Sequence, residues 1–327
     1  PPPPPPPPTQ ATPTTEIDTV LTSSAASDVY KRQAYDTQGK FWYDMAQAGM
    51  RHFDDIAEEA YHWTDWPFTF NTSCRGCHVS QFENKYDLQT GQYTTTWAEP
   101  GINCEACHGS AKEHIEFVRA NPGVNEYSKI KIDTISQNRG FSTEAVNSNC
   151  LICHTKGGAI TAAFHPGDEY FDHYDLTTLE HADFYPDGRD LGENYTYTSW
   201  LQSPCVKESR MDCMHCHTSS GRNRFEGANA NQSCMPCHSS KVNNPTKHTF
   251  HKIDSEGSKS VNCHMPTTRF AAMTRSDHSM RPPMPTLSVK FKSPNACNLC
   301  HADQTIEWAD QHVRQWRKRD YQADDLY

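Results

Sequence analysis

The sequence is poor in apolar residues for its length. Only 35% of its 327 residues are hydrophobic, which is below the share usual in globular domains. No run of 18 or more apolar residues occurs, so the sequence encodes no transmembrane helix. Because side chains alone supply little core, we expect another apolar group to contribute to the interior.

Positive charge is also scarce. The formal net charge is -10 at pH 7, and no basic patch with interleaved aromatic residues occurs. Proteins that bind nucleic acids carry concentrated lysine and arginine, which neutralise phosphates. The composition therefore argues against a nucleic-acid partner.

The N-terminal stretch lacks the features of a folded segment and of a signal peptide. It begins with the run Pro1–Pro8 and continues in threonine, serine and alanine to about Ala26. Proline runs form extended helices that bury nothing. Ser23–Gln33 resembles a translated sequencing adapter. We predict that residues 1–33 are a Pro/Ser/Thr-rich tail, artefactual in part, and that residues 34–327 form one domain.

Cysteine and histidine are abundant, with fourteen and eighteen residues. Twelve of the cysteines fall in six C-x-x-C-H motifs, whereas the composition predicts about 0.03 chance occurrences. Zinc sites and disulfide scaffolds give no reason for a histidine after every second cysteine. The motifs therefore favour covalent attachment of haem c. They are Cys74–His78, Cys104–His108, Cys150–His154, Cys213–His217, Cys234–His238 and Cys297–His301.

The spacing explains the chemistry of attachment. Two cysteines three positions apart on one helical turn point the same way and can bond both vinyl groups of one porphyrin. The next residue, histidine, is then placed to ligate the iron. The predicted haem-binding cysteines are Cys74, Cys77, Cys104, Cys107, Cys150, Cys153, Cys213, Cys216, Cys234, Cys237, Cys263, Cys297 and Cys300. The predicted proximal ligands are His78, His108, His154, His217, His238, His264 and His301.

A seventh copy of the motif has lost its first cysteine. It reads Ser260-Val-Asn-Cys263-His264. One thioether and the iron ligand still suffice to hold haem, so we expect a seventh, singly attached haem c. The alternative is a disulfide between Cys263 and Cys205, the cysteines outside the intact motifs. If Cys263 binds haem, Cys205 is a buried free thiol.

Eleven histidines lie outside the motif positions, enough to supply seven distal ligands. We expect bis-histidine ligation, which lowers the reduction potential relative to histidine/methionine ligation. His248 and His251, upstream of the damaged motif, and His62 are candidates. Further candidates are His52, His165, His173, His181 and His215.

Seven stretches of the sequence carry a resemblance to a known family: His62–Thr64, Thr96–Gly109, Phe184–Gly188, Ser199–Ser203, Cys263–Pro266, Arg275–Arg281 and Ser293–His301. On these stretches, residues 62–310 resemble the multihaem c-type cytochromes of the cytochrome c554 and nitrite reductase superfamily, in the branch often fused to tetratricopeptide repeats. The resemblance implies that His114 and His278 are distal ligands. Relatives usually have cysteine where Ser260 stands, and many have a histidine shortly after the fourth motif, where this chain has Thr218, Ser219 and Ser220.

The expected fold is mainly α with much irregular loop and little β, a multihaem cytochrome c fold organised around a closely packed haem chain. Apolar periodicity predicts a helix from Phe41 to before Pro67 and another after the last motif, with Ile306, Ala309, Val313 and Trp316 on one face. Ser110–Ala120 reads as a helix and Gln92–Trp97 as a short strand. Residues 157–207 read as irregular structure covering haem edges.

The expected function is electron transfer through about seven haems. Haem is attached covalently outside the cytoplasmic membrane, so we expect an exported protein, periplasmic or extracellular. Its partners would be redox proteins or extracellular electron acceptors. One alternative is self-association into a cytochrome filament. Another is reduction or oxidation of a small nitrogen or sulfur oxyanion at a five-coordinate haem, although no C-x-x-C-K motif occurs and no catalytic residue is assigned.

Overall fold

Short helices, short two-stranded sheets and long loops make up the fold. The computed structural model describes residues 33–36, 39–44, 65, 69–123, 142–192, 196–209, 211–270 and 273–317. The helices are α1 (Arg75–His78), α2 (Glu105–His108), α3 (Lys112–Ala120), α4 (Thr143–His154), α5 (Tyr170–His173), α6 (Thr196–Trp200), α7 (Pro204–Glu208), α8 (Ser239–Val242), α9 (Pro245–Thr249), α10 (Ser260–His264), α11 (Pro285–Phe291) and α12 (Ile306–Arg317). The strands are β1 (Gln33–Asp36), β2 (Phe41–Asp44), β3 (Val79–Ser80), β4 (Tyr86–Asp87), β5 (Gln92–Tyr93), β6 (Glu99–Pro100), β7 (Gly157–Ala159), β8 (Tyr174–Leu176), β9 (Thr267–Phe270) and β10 (Met273–Ser276). The predicted fold class, mainly α with little β, is confirmed.

The chain divides into two compact units. Among the described residues, the first unit contains those up to residue 123 together with Ala159–His173. The second contains Ser142–Gly158 and the described residues from Tyr174 onward. Two intact motifs lie in the first unit, and four intact motifs and the damaged one lie in the second.

In the first unit, β1 and β2 form an antiparallel hairpin. The Gly39 N–H donates to the Asp36 carboxylate over 2.8 Å, and Lys40 takes a positive φ of 57° to close the turn. Tyr35 lies opposite Trp42, with ring centroids 5.2 Å apart. The prediction that a helix starts at Phe41 is therefore wrong, because this cross-strand aromatic pair favours a strand. Residues 45–64 of the predicted helix lie outside the described residues.

Two other sequence predictions for the first unit hold. The predicted strand at Gln92–Trp97 is confirmed over Gln92–Tyr93 alone, where β5 pairs with β4; beyond it, Thr96 forms an isolated bridge with Glu83. The predicted helix at Ser110–Ala120 is α3, which begins two residues later. Its C-terminus is closed by Asn121, whose N–H donates to the Phe117 carbonyl over 3.0 Å.

In the second unit, α11 packs against α12. Leu287 of α11 is 2% exposed, and Ala309 and Val313 of α12 are also buried. These residues form the apolar seam between the two helices, and the predicted C-terminal helix is confirmed. Arg314 Nε lies 2.7 Å from the Asp310 carboxylate one turn earlier, an arrangement that supports the helix.

The segment predicted as irregular cover contributes to the core instead. In the second unit it contains β8, α6 and α7, and Phe184 and Trp200 are buried. The buried Asp187 accepts a hydrogen bond from Ser293 Oγ over 2.5 Å, and Arg189 donates to Ser288 Oγ over 2.9 Å. These bonds connect the segment to α11 and to the loop that leads into the last motif.

Candidate haem-binding centre

A local hydrogen bond closes four of the six intact haem motifs. The histidine N–H donates to the carbonyl of the first cysteine, four residues earlier, and this bond curls the motif into one turn. Both sulfurs and the imidazole can then serve a single porphyrin. The bonds are His108 to Cys104 (3.0 Å), His217 to Cys213 (3.0 Å), His238 to Cys234 (3.0 Å) and His301 to Cys297 (2.9 Å).

One motif departs from the predicted helical turn. At Cys234–His238 the residue Met235 is extended, with φ -87° and ψ 152°. The cause is Pro236, which disfavours the helical conformation in the residue before it. The closing bond from His238 to Cys234 still forms, so the ends of the motif remain close.

All fourteen cysteines lie in the described part of the chain, and none of them forms a disulfide. The alternative disulfide between Cys205 and Cys263 is therefore not formed. Burial raises the pKa of Cys216 and Cys234, and the nearby Cys205 thiol raises both further, whereas Cys263 interacts with the cysteines of the last motif. Burial raises the pKa of the Cys263 thiol to about 11. Cys205 and Cys263 thus belong to different cysteine clusters.

Three motif histidines each lie near one histidine from outside the motifs. Every pair combines a histidine of a motif with a histidine from outside the motifs. Aromatic packing does not explain this regularity, whereas axial ligation of a haem would. The pairs, with centroid separations and interplanar angles, are His217–His278 (6.4 Å, 28°), His264–His248 (6.0 Å, 14°) and His301–His251 (6.1 Å, 40°).

These separations match two imidazoles bound to opposite sides of one metal ion. An imidazole nitrogen lies about 2.0–2.1 Å from a bound first-row metal. A five-membered ring with bonds of about 1.33 Å has a radius of about 1.1 Å. Two imidazoles bound in this way would have ring centroids about 6.2–6.4 Å apart, which is close to the observed 6.0 to 6.4 Å of the three pairs. By this test the chain fits haem c.

Backbone carbonyls orient four of the six rings in these pairs. Each carbonyl can only accept, so the Nδ1 facing it carries the proton and Nε2 keeps its lone pair for a metal. The distances are His278 Nδ1 to Ser276 O (2.9 Å), His251 Nδ1 to Thr249 O (2.6 Å), His217 Nδ1 to Gly221 O (3.2 Å) and His264 Nδ1 to Met280 O (3.3 Å).

Burial keeps several of the paired imidazoles neutral. It lowers the pKa of His248, His264 and His278, and neighbouring histidines lower it further. Neutral imidazole is the form that ligates iron. His154 has a lowered pKa for the same reasons, burial first and His217 second.

The third and fourth motifs are neighbours in the second unit. Asn147 Oδ1, on α4, accepts from the Cys213 N–H over 3.0 Å and from its thiol over 3.1 Å. A hydrogen bond between the Cys150 and Cys213 thiols lowers the pKa of the first and raises that of the second. The predicted attachment points of two haems are therefore adjacent.

In the first unit, the segments after the first motif and before the second are joined. The Gly101 N–H donates to the His78 carbonyl over 2.6 Å. Ser80 Oγ donates to the Gly101 carbonyl and accepts from the Asn103 N–H, over 2.7 and 2.8 Å. These bonds fix the loop that enters the motif Cys104–His108.

The remaining predicted distal ligands have different surroundings. His114 is half-buried in α3, and His215 Nε2 donates to the Ser233 carbonyl over 3.0 Å. His52 and His62 lie outside the described residues. The other three contact aspartates: His165 and His173 lie 3.5 and 3.3 Å from Asp168, and His181 lies 3.3 Å from Asp183.

Some residues of the site were not apparent from the sequence. The carbonyls of Gly221 and Met280 are backbone groups, so the residue types at these positions do not indicate their role. Gly257, Trp308 and Trp316 surround the last histidine pair. Of these, only Trp316 gave a signal, as part of the apolar stripe of the C-terminal helix.

Comparisons with known proteins agree with the haem motifs. Residues 32–109 match the family model described as cytochrome c554 and c-prime. The fold is similar to the crystal structure of the outer cell wall cytochrome OcwA, with a TM-score of 0.54 and 18% identity, over 88% of this chain and 68% of that one. No curated protein matches the chain. The family match spans the first two motifs and the structural similarity concerns the fold, and both agree with the prediction of a multihaem c-type cytochrome.

Proposed function

We propose that this protein transfers electrons along a row of about seven haem c groups with mainly bis-histidine ligation. The observation that carries the proposal is the pairing of three motif histidines with three other histidines at 6.0 to 6.4 Å. Haem c supplies one-electron chemistry when bound. The chain supplies the thioether cysteines, the axial imidazoles and the burial that set each potential.

A short segment connects two of the proposed haem sites. His248 at the end of α9 pairs with His264, and His251, three residues later, pairs with His301. Phe250 between them adopts a left-handed φ of 58°, which ends α9 and redirects the chain. One segment thus offers ligands to two haems, which supports their being neighbours in the row.

We propose that the protein is exported and exchanges electrons with redox proteins or extracellular acceptors. The outer cell wall location named for the similar cytochrome supports this placement. Among the described residues, no helix has the length and apolarity needed to cross a membrane. Within those same residues, nothing favours a filament subunit or an oxyanion-converting enzyme over an electron carrier.

The ligation is tested by His278→Met in the purified holoprotein, with His215→Met as the matched control. His278 pairs with His217, whereas His215 bonds to a backbone carbonyl. Methionine ligation raises the potential of a haem. We expect one step of the redox titration to move upward in His278→Met, with the haem count by intact mass unchanged. An unchanged titration, or the same shift in His215→Met, would contradict the proposal.

A further inference from the structure

The imidazole of His251 lies in a slot with three defined sides. Its Nδ1 donates to the Thr249 carbonyl over 2.6 Å. The backbone of Gly257 approaches the ring so closely that a Cβ there would overlap it. Trp316 meets the ring edge-on, with centroids 6.0 Å apart and planes at 81°. The ring has little freedom to rotate or shift.

Phe250 supports this slot by stacking on Trp316. Its ring is parallel to that of Trp316, with centroids 4.8 Å apart and an interplanar angle of 14°. Its left-handed backbone costs conformational free energy in a residue other than glycine. The stacking on Trp316 offsets part of this cost and fixes the tryptophan against the histidine.

The same helix, α12, also contacts the other imidazole of the pair. Trp308 lies 5.0 Å from the ring of His301, at an interplanar angle of 48°. The helix itself is held by Ala309 and Val313, which are buried against the core. Each imidazole of the pair therefore contacts its own tryptophan of α12: His251 contacts Trp316, and His301 contacts Trp308.

We infer that Trp308 and Trp316 are positioning residues for the haem attached at Cys297 and Cys300. They fix the planes of the imidazoles of His301 and His251 and exclude water beside them. The inference rests on the proposed bis-histidine ligation of this haem. Surrounding groups that orient an axial ligand tune the metal, and a drier environment disfavours the more highly charged ferric state. The two tryptophans thus raise the potential of this haem and set the magnetic signature of its ferric form.

The experiment uses the holoprotein and first identifies the haem with His251→Met, which shifts its potential upward. Trp316→Ala should lower the potential of that same haem and change its largest ferric g value while leaving it low-spin. Trp316→Phe keeps an aromatic ring against His251 and should retain most of both properties. Val313→Ala is the matched control, since it loosens α12 without touching either imidazole.

A second variant tests the slot directly. Gly257→Ala should push the His251 ring from its place and give one haem a high-spin signal, with the haem count unchanged. The inference is overturned if Trp316→Ala leaves the potential and g value unchanged while His251→Met shifts them, or if Val313→Ala shifts them equally. If His251→Met alters no haem, the proposed ligation fails, and the inference fails with it.

Discussion

The imidazole of His248 lies 6.0 Å from that of His264, ring centroid to ring centroid, with the two planes 14° apart. The damaged haem motif therefore keeps an opposing histidine. Ser260, which replaces its first cysteine, starts α10, is 8% exposed, and donates its N–H to Asn231 Oδ1 over 2.6 Å. The loss of the cysteine has left the shape of the motif intact, which favours a singly attached haem.

Replacing Ser260 with cysteine should convert one thioether into two without adding a haem. Ser260 lies three positions before Cys263, at the spacing of the intact motifs. The intact mass should show an unchanged haem count, and the absorption band of the denatured ferrous haem should move toward that of doubly attached haem c. A gain of one whole haem would mean that Cys263 and His264 alone do not hold one.

Replacing His251 with alanine should leave one haem high-spin, whereas replacing His312 should not. Both histidines lie near Trp316, and His312 Nδ1 donates to the Trp308 carbonyl over 2.8 Å. Only His251 is paired with His301 at the spacing of axial ligands. Electron paramagnetic resonance of the oxidised protein counts high-spin haems directly. A high-spin haem in His312→Ala alone would assign the ligand to α12.

Replacing Asp190 with asparagine should remove a pH-dependent loss of stability. Burial raises the pKa of Asp190 to about 7; Arg275 and Arg281 lower it, and Asp277 raises it. An unfolded chain releases this proton near pH 4, so the native state binds the extra proton between about pH 4 and 7. The stability that this bound proton provides is fully present below pH 4 and is lost as the pH rises through 7.

At pH 8 the Asp190→Asn variant should therefore be more stable than the native protein, by up to about 4 kcal/mol. Denaturant titrations between pH 4 and 8 measure the free energy of unfolding. Asp175→Asn, at an exposed position on β8, is the control and should leave the pH dependence unchanged. An identical pH profile for native protein and Asp190→Asn would contradict the prediction.

Replacing Leu287 with alanine should destabilise the seam between α11 and α12. Leu287 is 2% exposed, and burial of this kind predicts a loss of about 2–5 kcal/mol in the free energy of unfolding. Val289→Ala, on the same helix but 44% exposed, should cost less than about 0.5 kcal/mol. Thermal denaturation of the holoprotein compares the two, and equal losses would show that the seam is not a core.

The sequence predicted the haem motifs because their geometry is local. Cysteine, cysteine and histidine at fixed spacing on one turn require no tertiary information. The pairing of His217 with His278, or of His251 with His301, depends on how distant segments fold together, and no spacing encodes that. For the same reason, the roles of the Gly221 and Met280 carbonyls become visible only in the structure.

The apolar stripe of α12 shows a second limit of sequence patterns. Its periodicity correctly predicted a helix, and Ala309 and Val313 are buried as expected. Trp316 belongs to the same stripe but contacts a histidine instead of the apolar seam. At Phe41 the same kind of pattern predicted a helix where a hairpin forms, because aromatic residues also pair across strands.

The segment that carries His248 and His251 has a consequence for how the protein is made. Its two histidines face the imidazoles of two different motifs, His264 and His301. If His248 and His251 are the distal ligands proposed above, holding one of them at the first haem would also order the backbone that presents the other. Part of the conformational entropy cost of ordering the segment for the second haem site would then have been paid at the first. Biogenesis of these two haems should therefore be cooperative, and a mutation that prevents attachment of one should lower the occupancy of the other.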